Sequence, residues 1–189
     1  MKSATLKITA IIVVVLIILL GGWFIIQPRM KNTNNTSSSR FASSAELKIY
    51  EDAENDLTLE YPKDWFQKES EEGAISFGDK SGANITMYVE DLGVEGVALE
   101  DYSATSITGL SNLGLEFKLL DSYDSTTVGY PSYTVEYTLS NDTLTARATG
   151  MWFILEAKAY SFTYTAPENL YDTSKSKAMA VIDSVRIEQ

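Results

Sequence analysis

The chain has 189 residues, 26 acidic against 15 basic, and contains neither cysteine nor histidine. The missing cysteines exclude a disulfide scaffold, a thiol nucleophile and a lipid-modified cysteine; the missing histidines exclude a Ser–His–Asp arrangement and the usual zinc ligands. All 26 acidic residues lie at or beyond Glu46, where ten basic residues leave a formal charge of −16, while the first 45 residues carry +5. So acidic a C-terminal region is repelled by nucleic acid and by anionic lipid.

Residues 1–7 form a short tail with Lys2 and Lys7, followed by Ile8 to Ile26, nineteen residues without a charge. As a helix this run spans roughly 28 Å, the thickness of a bilayer's hydrocarbon core. Only a helix carries backbone through lipid with its N–H and C=O groups satisfied inside the segment, and Trp23 suits the headgroup layer at one end. The basic tail ahead of the run keeps the N-terminus cytoplasmic and sends the rest outside. The apolar run is longer than that of a cleaved signal peptide and has no small-x-small site after it, so a retained anchor is expected.

Residues 27–45 are rich in Asn and Ser without a period, the composition of a flexible tether. Asn34, Asn35, Asn84 and Asn141 open glycosylation-type triplets.

Residues 46–189 suffice for one domain with its own core, expected as a monomer. Period-two alternation predicts strands at Leu57–Tyr61, at Ile75 and Phe77, at Ile85–Val89, at Tyr133–Leu139, at Leu144–Ile154 and at Tyr160–Tyr164. The separators Ser140-Asn141-Asp142 and Glu156-Ala157-Lys158 are too short for parallel crossovers, so the later strands form an antiparallel meander. Two stretches switch to helical period. From Leu99 to Gly114 the residues Leu99, Tyr102, Ile107, Leu110 and Leu113 share a face, with Glu100 and Asp101 in the first turn and Gly114 as a left-handed stop. A second helix is expected from about Pro167 to Val185, with Pro167 in its first turn, and a brief strand over residues 186–188 closes the domain. The fold class is α+β: a central antiparallel sheet with amphipathic helices packed on it, preceded by one transmembrane helix.

Several segments recur in a telling order: Tyr61-Pro62-Lys63-Asp64-Trp65, Ala83-Asn84-Ile85, Val89-Glu90-Asp91-Leu92-Gly93, Leu99-Glu100-Asp101-Tyr102, Gly129-Tyr130-Pro131-Ser132-Tyr133, Tyr164-Thr165-Ala166 with Tyr171-Asp172, and Ile182-Asp183-Ser184-Val185. In this order and spacing the domain resembles the PsbP family, the extrinsic proteins of photosystem II and their wider relatives. The resemblance implies a PsbP-like α/β/α sandwich and a non-catalytic domain that docks on a membrane complex, with divalent cations involved in some members. This chain lacks histidine and carries an anchor in place of a transit peptide, so the fold and the binding character are carried over and a photosystem is not.

The acidic run Glu51, Asp52, Glu54 and Asp56 sits at a turn between two strands and offers hard oxygen ligands of the kind Ca²⁺ takes, without the glycine and distal glutamate of an EF-hand loop. It is the one candidate metal site; no catalytic or cofactor-binding residue is singled out and no cofactor is required. Glu90-Asp91 and Glu69, Glu71, Glu72 are weaker versions of the same pattern. Tyr50, Tyr88, Tyr123 and Tyr130 fall off the core parities and are candidates for a binding surface. The expectation is therefore a membrane-anchored extracytoplasmic binding or assembly module with a protein partner. The alternatives are an acidic structural surface protein and a small carboxylate-dependent hydrolase.

Overall fold

The computed structural model describes residues 46–188. The apolar run at Ile8 to Ile26 and the tether over 27–45 lie outside the described residues; among the described residues no helix is long and apolar enough to cross a membrane.

Two antiparallel sheets make the frame. The strands are β1 (Leu47–Asp52), β2 (Leu57–Pro62), β3 (Phe66–Glu69), β4 (Ile75–Gly78), β5 (Asn84–Asp91), β6 (Glu116–Thr127), β7 (Tyr130–Ser140), β8 (Thr145–Leu155), β9 (Lys158–Pro167) and β10 (Arg186–Ile187), with helices α1 (Leu99–Ser111) and α2 (Tyr171–Asp183). The large sheet has seven strands in the order β3-β4-β5-β9-β8-β7-β6, and the small one has three in the order β1-β2-β10. β9 is central. It pairs with β5 from Asn84↔Thr165 to Asp91↔Lys158, and with β8 from Ala146↔Pro167 to Leu155↔Lys158.

Each face of the large sheet is covered by a different layer. On one face Tyr160, Phe162 and Tyr164 of β9, Ile85 and Met87 of β5 and Met151 and Phe153 of β8 meet α2 (Ala178, Val181, Ile182) and the inner side of β2 (Leu57, Leu59, Tyr61). Aromatic stacking runs through this layer: Phe153 lies 5.0 Å from Tyr160 and 6.1 Å from Phe162 between ring centroids. On the other face Val135, Tyr137 and Leu139 of β7, with Ala148 and Trp152 of β8, receive Tyr102 and Leu110 of α1. The small residues Ala148 and Ala159 let that helix approach closely.

α1 is rich in Ser and Thr and still packs tightly. Ser103 and Ser106 are buried because their hydroxyls donate to the carbonyls of Leu99 and Tyr102 one turn back, at 2.7 and 2.9 Å. Gly114, at φ 74°, takes the left-handed conformation just beyond the helix.

The end of the chain differs from its predicted form. Pro167 closes β9, opposite Ala146, instead of opening the helix; a 3₁₀ turn over Glu168–Leu170 follows, and α2 begins at Tyr171. The Tyr171 ring sets this register. It is fully buried against Tyr164, whose hydroxyl donates to the Tyr171 carbonyl at 2.7 Å, while its own hydroxyl contacts Thr149. The last strand is only Arg186–Ile187, and the Glu188 N–H instead bonds the Asp56 carbonyl at 2.9 Å.

An ion cluster fixes α2 over the sheet. Glu136 of β7, largely buried, accepts from Arg147 Nη2 at 2.8 Å and from Lys175 Nζ at 2.6 Å. The Arg147 guanidinium also lies over the Tyr171 ring, 4.3 Å from its centroid. Burial alone would raise the Glu136 carboxyl, but the two cations outweigh it and hold its pKa below the ordinary value. A depressed carboxylate adds stability above its unfolded pKa and loses it as pH falls through the folded one. Glu136→Gln should therefore lower stability at neutral pH by roughly 1.5–3 kcal/mol and flatten the acid limb of stability against pH, checked by urea unfolding from pH 3 to 7. An unchanged acid limb would remove Glu136 from the account.

Trp65 follows a tight turn in which its N–H donates to the Pro62 carbonyl at 3.0 Å, and its ring is 4% exposed. Truncating it to Ala should cost about 3–5 kcal/mol, measured as a drop in the midpoint of denaturant unfolding.

Candidate binding surface

The acidic residues read as a metal candidate are brought together only by sequence. Glu51 and Asp52 end β1, Glu54 lies in the turn, and Asp56 leaves it at φ 49°. The Asp52 carboxylate is occupied by the turn itself: Oδ1 accepts from the Glu54 and Asn55 N–H groups, at 3.1 and 3.2 Å, and Oδ2 from Asn55 Nδ2 at 2.8 Å. Lys158 Nζ caps the same turn at the Glu54 carbonyl and Asn55 Oδ1. Among the described residues no group of three or more carboxylates is placed to hold a metal ion. Glu90 is buried beside α1, where the Tyr102 hydroxyl donates to its Oε2 at 3.3 Å; burial raises the Tyr102 pKa, which keeps it a donor.

The four surface-candidate tyrosines separate. Tyr50 packs edge-on against Phe77, with centroids 5.3 Å apart, and Tyr130 stacks on Phe153 at 5.2 Å, so both finish the core. Tyr88 is half-buried on β5, and burial with Glu90 and Glu72 nearby raises its pKa. Tyr123 alone is open, 45% exposed on β6.

β6 is the feature sequence reasoning missed. It is the longest strand, 12 residues, and it forms one edge of the large sheet, paired only with β7. Phe117 is held beneath α1, but Leu119 and Leu120 are each 41% exposed. A bulge between Leu119 and Asp121 breaks the alternation, so the pattern that marks other strands is lost here. None of its carboxylates, Glu116, Asp121 and Asp124, forms an ion pair among the described residues. The one signal available in the sequence was Tyr123 standing off every core parity.

β6 ends at a hairpin whose two loop residues, Val128 at φ 56° and Gly129 at φ 84°, are both left-handed, as a twist-matched two-residue turn demands. Glycine adopts this freely; a β-branched valine does so under strain. Val128 is kept there by packing against the core beside Tyr130. A groove of about 420 Å³ opens next to the turn, lined by Thr126, Val128, Gly129 and Tyr130 on one side and Asp183, Val185, Arg186 and Ile187 on the other. Arg186 is fixed at its rim, with Nη1 donating to the carbonyls of Asp183 and Val185 at 2.9 and 2.7 Å.

Comparison with known proteins agrees with this architecture. The family described as PsbP-like protein matches residues 9–92. The solution structure of cyanobacterial PsbP from Synechocystis sp. PCC 6803 is similar, with TM-score 0.56 and 18% identity over 80% of this chain and 98% of that one. The fold here is that of a PsbP-like domain, and the PsbP-like family match takes in its first strands. The same fold occurs in protein PA94 of Pseudomonas aeruginosa, with TM-score 0.52 and 14% identity over 76% of this chain and 98% of that one. It occurs again in the Ran-binding protein Mog1p of Saccharomyces cerevisiae, with TM-score 0.50 and 11% identity over 76% and 96% of the two chains. No curated protein matches the chain.

The strain at the hairpin tip is testable. Val128→Asn replaces a β-branched residue with one that tolerates the left-handed region and forms the favoured Asn-Gly pair, so it should stabilise the domain by about 1 kcal/mol, seen as a higher Tm. A lower Tm would mean that valine packing outweighs the backbone strain.

Proposed function

We propose that this protein is a non-catalytic binding module, held by Ile8 to Ile26 on the extracytoplasmic side of a cell membrane, whose domain docks on a membrane or envelope protein complex. The observation that carries the reading is the β6 edge: a long outer strand on which Leu119, Leu120 and Tyr123, three of the seven exposed large apolar side chains among the described residues, stand together. A fold shared with a protein described as Ran-binding supports a binding role, and the family resemblance supports a membrane complex as the docking site. The 19-residue tether between the apolar run and Glu46 gives the domain reach across a crowded surface while keeping its local concentration high.

Two measurements on the full chain in its native membrane test this. Protease added to intact cells should digest the domain, and chemical cross-linking before detergent extraction should join the chain to a partner protein in fixed ratio. Protection of the domain until lysis would reverse the orientation. An accessible chain that cross-links to nothing would favour an acidic structural surface protein instead.

A further inference from the structure

The C-terminal half of β6 keeps a free main-chain edge. The Ser122 N–H is donated to its neighbour's carboxylate, Asp121 Oδ1 at 2.8 Å, and not across to β7. That identifies the outward parity of the strand, and by the alternation of an antiparallel ladder Asp124 and Thr126 share it. The side chains flanking this edge point to both sides of the sheet. Leu119 lies opposite Tyr137 on the α1 face, whereas Tyr123 lies opposite Thr134 on the other. A flat partner would touch one of these residues; an added strand, with side chains alternating to both faces, would touch both.

Charge selects among the occupants. Glu116, Asp121 and Asp124 are exposed, against one cation, Lys118, on the strand. A second copy of the chain would bring another domain of charge −16 to the same edge and set carboxylates beside carboxylates. The other edge of the large sheet is blunted: β3 has only four residues and carries Lys68. On β6 the bulge and the carboxylates also block indiscriminate pairing, but a carboxylate that repels most strands attracts a basic one.

Resting on the binding-module reading above, we infer that β6 receives an extended, lysine- or arginine-bearing segment of a partner protein as an eighth strand, paired along Ser122 to Thr126. Its cations lie against Asp121 and Asp124, and its apolar residues against Leu119 and Tyr123. Asp121, which caps the Ser122 N–H in the free protein, turns to the incoming cation and releases that donor. The groove at the hairpin tip begins at Thr126, where this pairing ends, and can take one side chain of the segment.

The test uses the full chain in detergent and two ten-residue probe peptides, one of paired lysines alternating with paired valines, so that each face of the strand carries both, the other with glutamate in place of lysine. The lysine peptide should slow amide hydrogen exchange at Asp124 and Thr126, with an affinity that falls as NaCl rises. The glutamate peptide should do neither. Asp121→Asn with Asp124→Asn should weaken the lysine peptide at least fivefold; both sites are exposed, and an unchanged circular-dichroism spectrum confirms the fold. Equal effects from both peptides, protection at β3 or β1 instead, or no protection at all would overturn the assignment. Protection of the same amides in the chain alone as its concentration rises would replace the partner with a second copy. A partner cross-linked in the native membrane but mapped to another surface would overturn the β6 assignment and leave the binding-module reading standing.

Discussion

β9 leaves no side of itself for water. It has a strand on each flank, α2 and the small sheet on one face and α1 on the other. Its central even-numbered residues, Tyr160, Phe162 and Tyr164, are therefore large and apolar to fill the thick layer, and the odd-numbered ones between them small, since α1 packs over Ala159 and Ser161. The rest of the domain follows from meeting that constraint. β2 supplies Leu57 and Leu59 as a lid where α2 ends, and α2 is positioned by Tyr171, whose ring finds room against Tyr164. Burying so much on both faces is how a domain of this size, with no cysteine for a disulfide and no histidine, gathers enough apolar contact to fold.

The electrostatics follow a parallel division. With ten cations for 26 carboxylates, most acidic groups cannot be paired and must stay in water. The structure places two cations, Arg147 and Lys175, on one largely buried carboxylate, Glu136. There the lower local dielectric makes the contact matter, whereas an exposed pair such as Lys63 with Glu46 contributes little. The surplus of negative charge elsewhere is a field that any partner must meet with cations of its own.

What was legible in the sequence was whatever had one wet side and one dry one. Leu57, Leu59 and Tyr61, or Tyr133 to Leu139, alternate because their strands do, and α1 shows its period because only one face is buried. β8 was legible by half: the parity of Ala146, Ala148 and Trp152 was plain, while Met151 and Phe153 on the opposite parity are buried as well. A central strand with two dry faces carries no alternation to read. β3 and β6 failed for the opposite reason, being wet on nearly every side. The acidic turn has a structural reason of its own, since adjacent carboxylates are a natural turn composition and Asp52 accepts from main-chain N–H groups there.

The same reasoning says where function should sit in such a fold. A sheet of seven strands with both faces covered can present backbone only at its two ends. One end, β3, is too short to guide a partner, and the small sheet's β1 is held apart from the main ladder. The remaining end is long, bulged and acidic, and it leads into a hairpin whose tip keeps a valine in a glycine-like conformation beside a groove. Each of these features costs stability or invites misassociation, and none contributes to the core that β9 organises. Features that burden a fold without helping it to form are where selection for binding acts, and here they are contiguous along one strand.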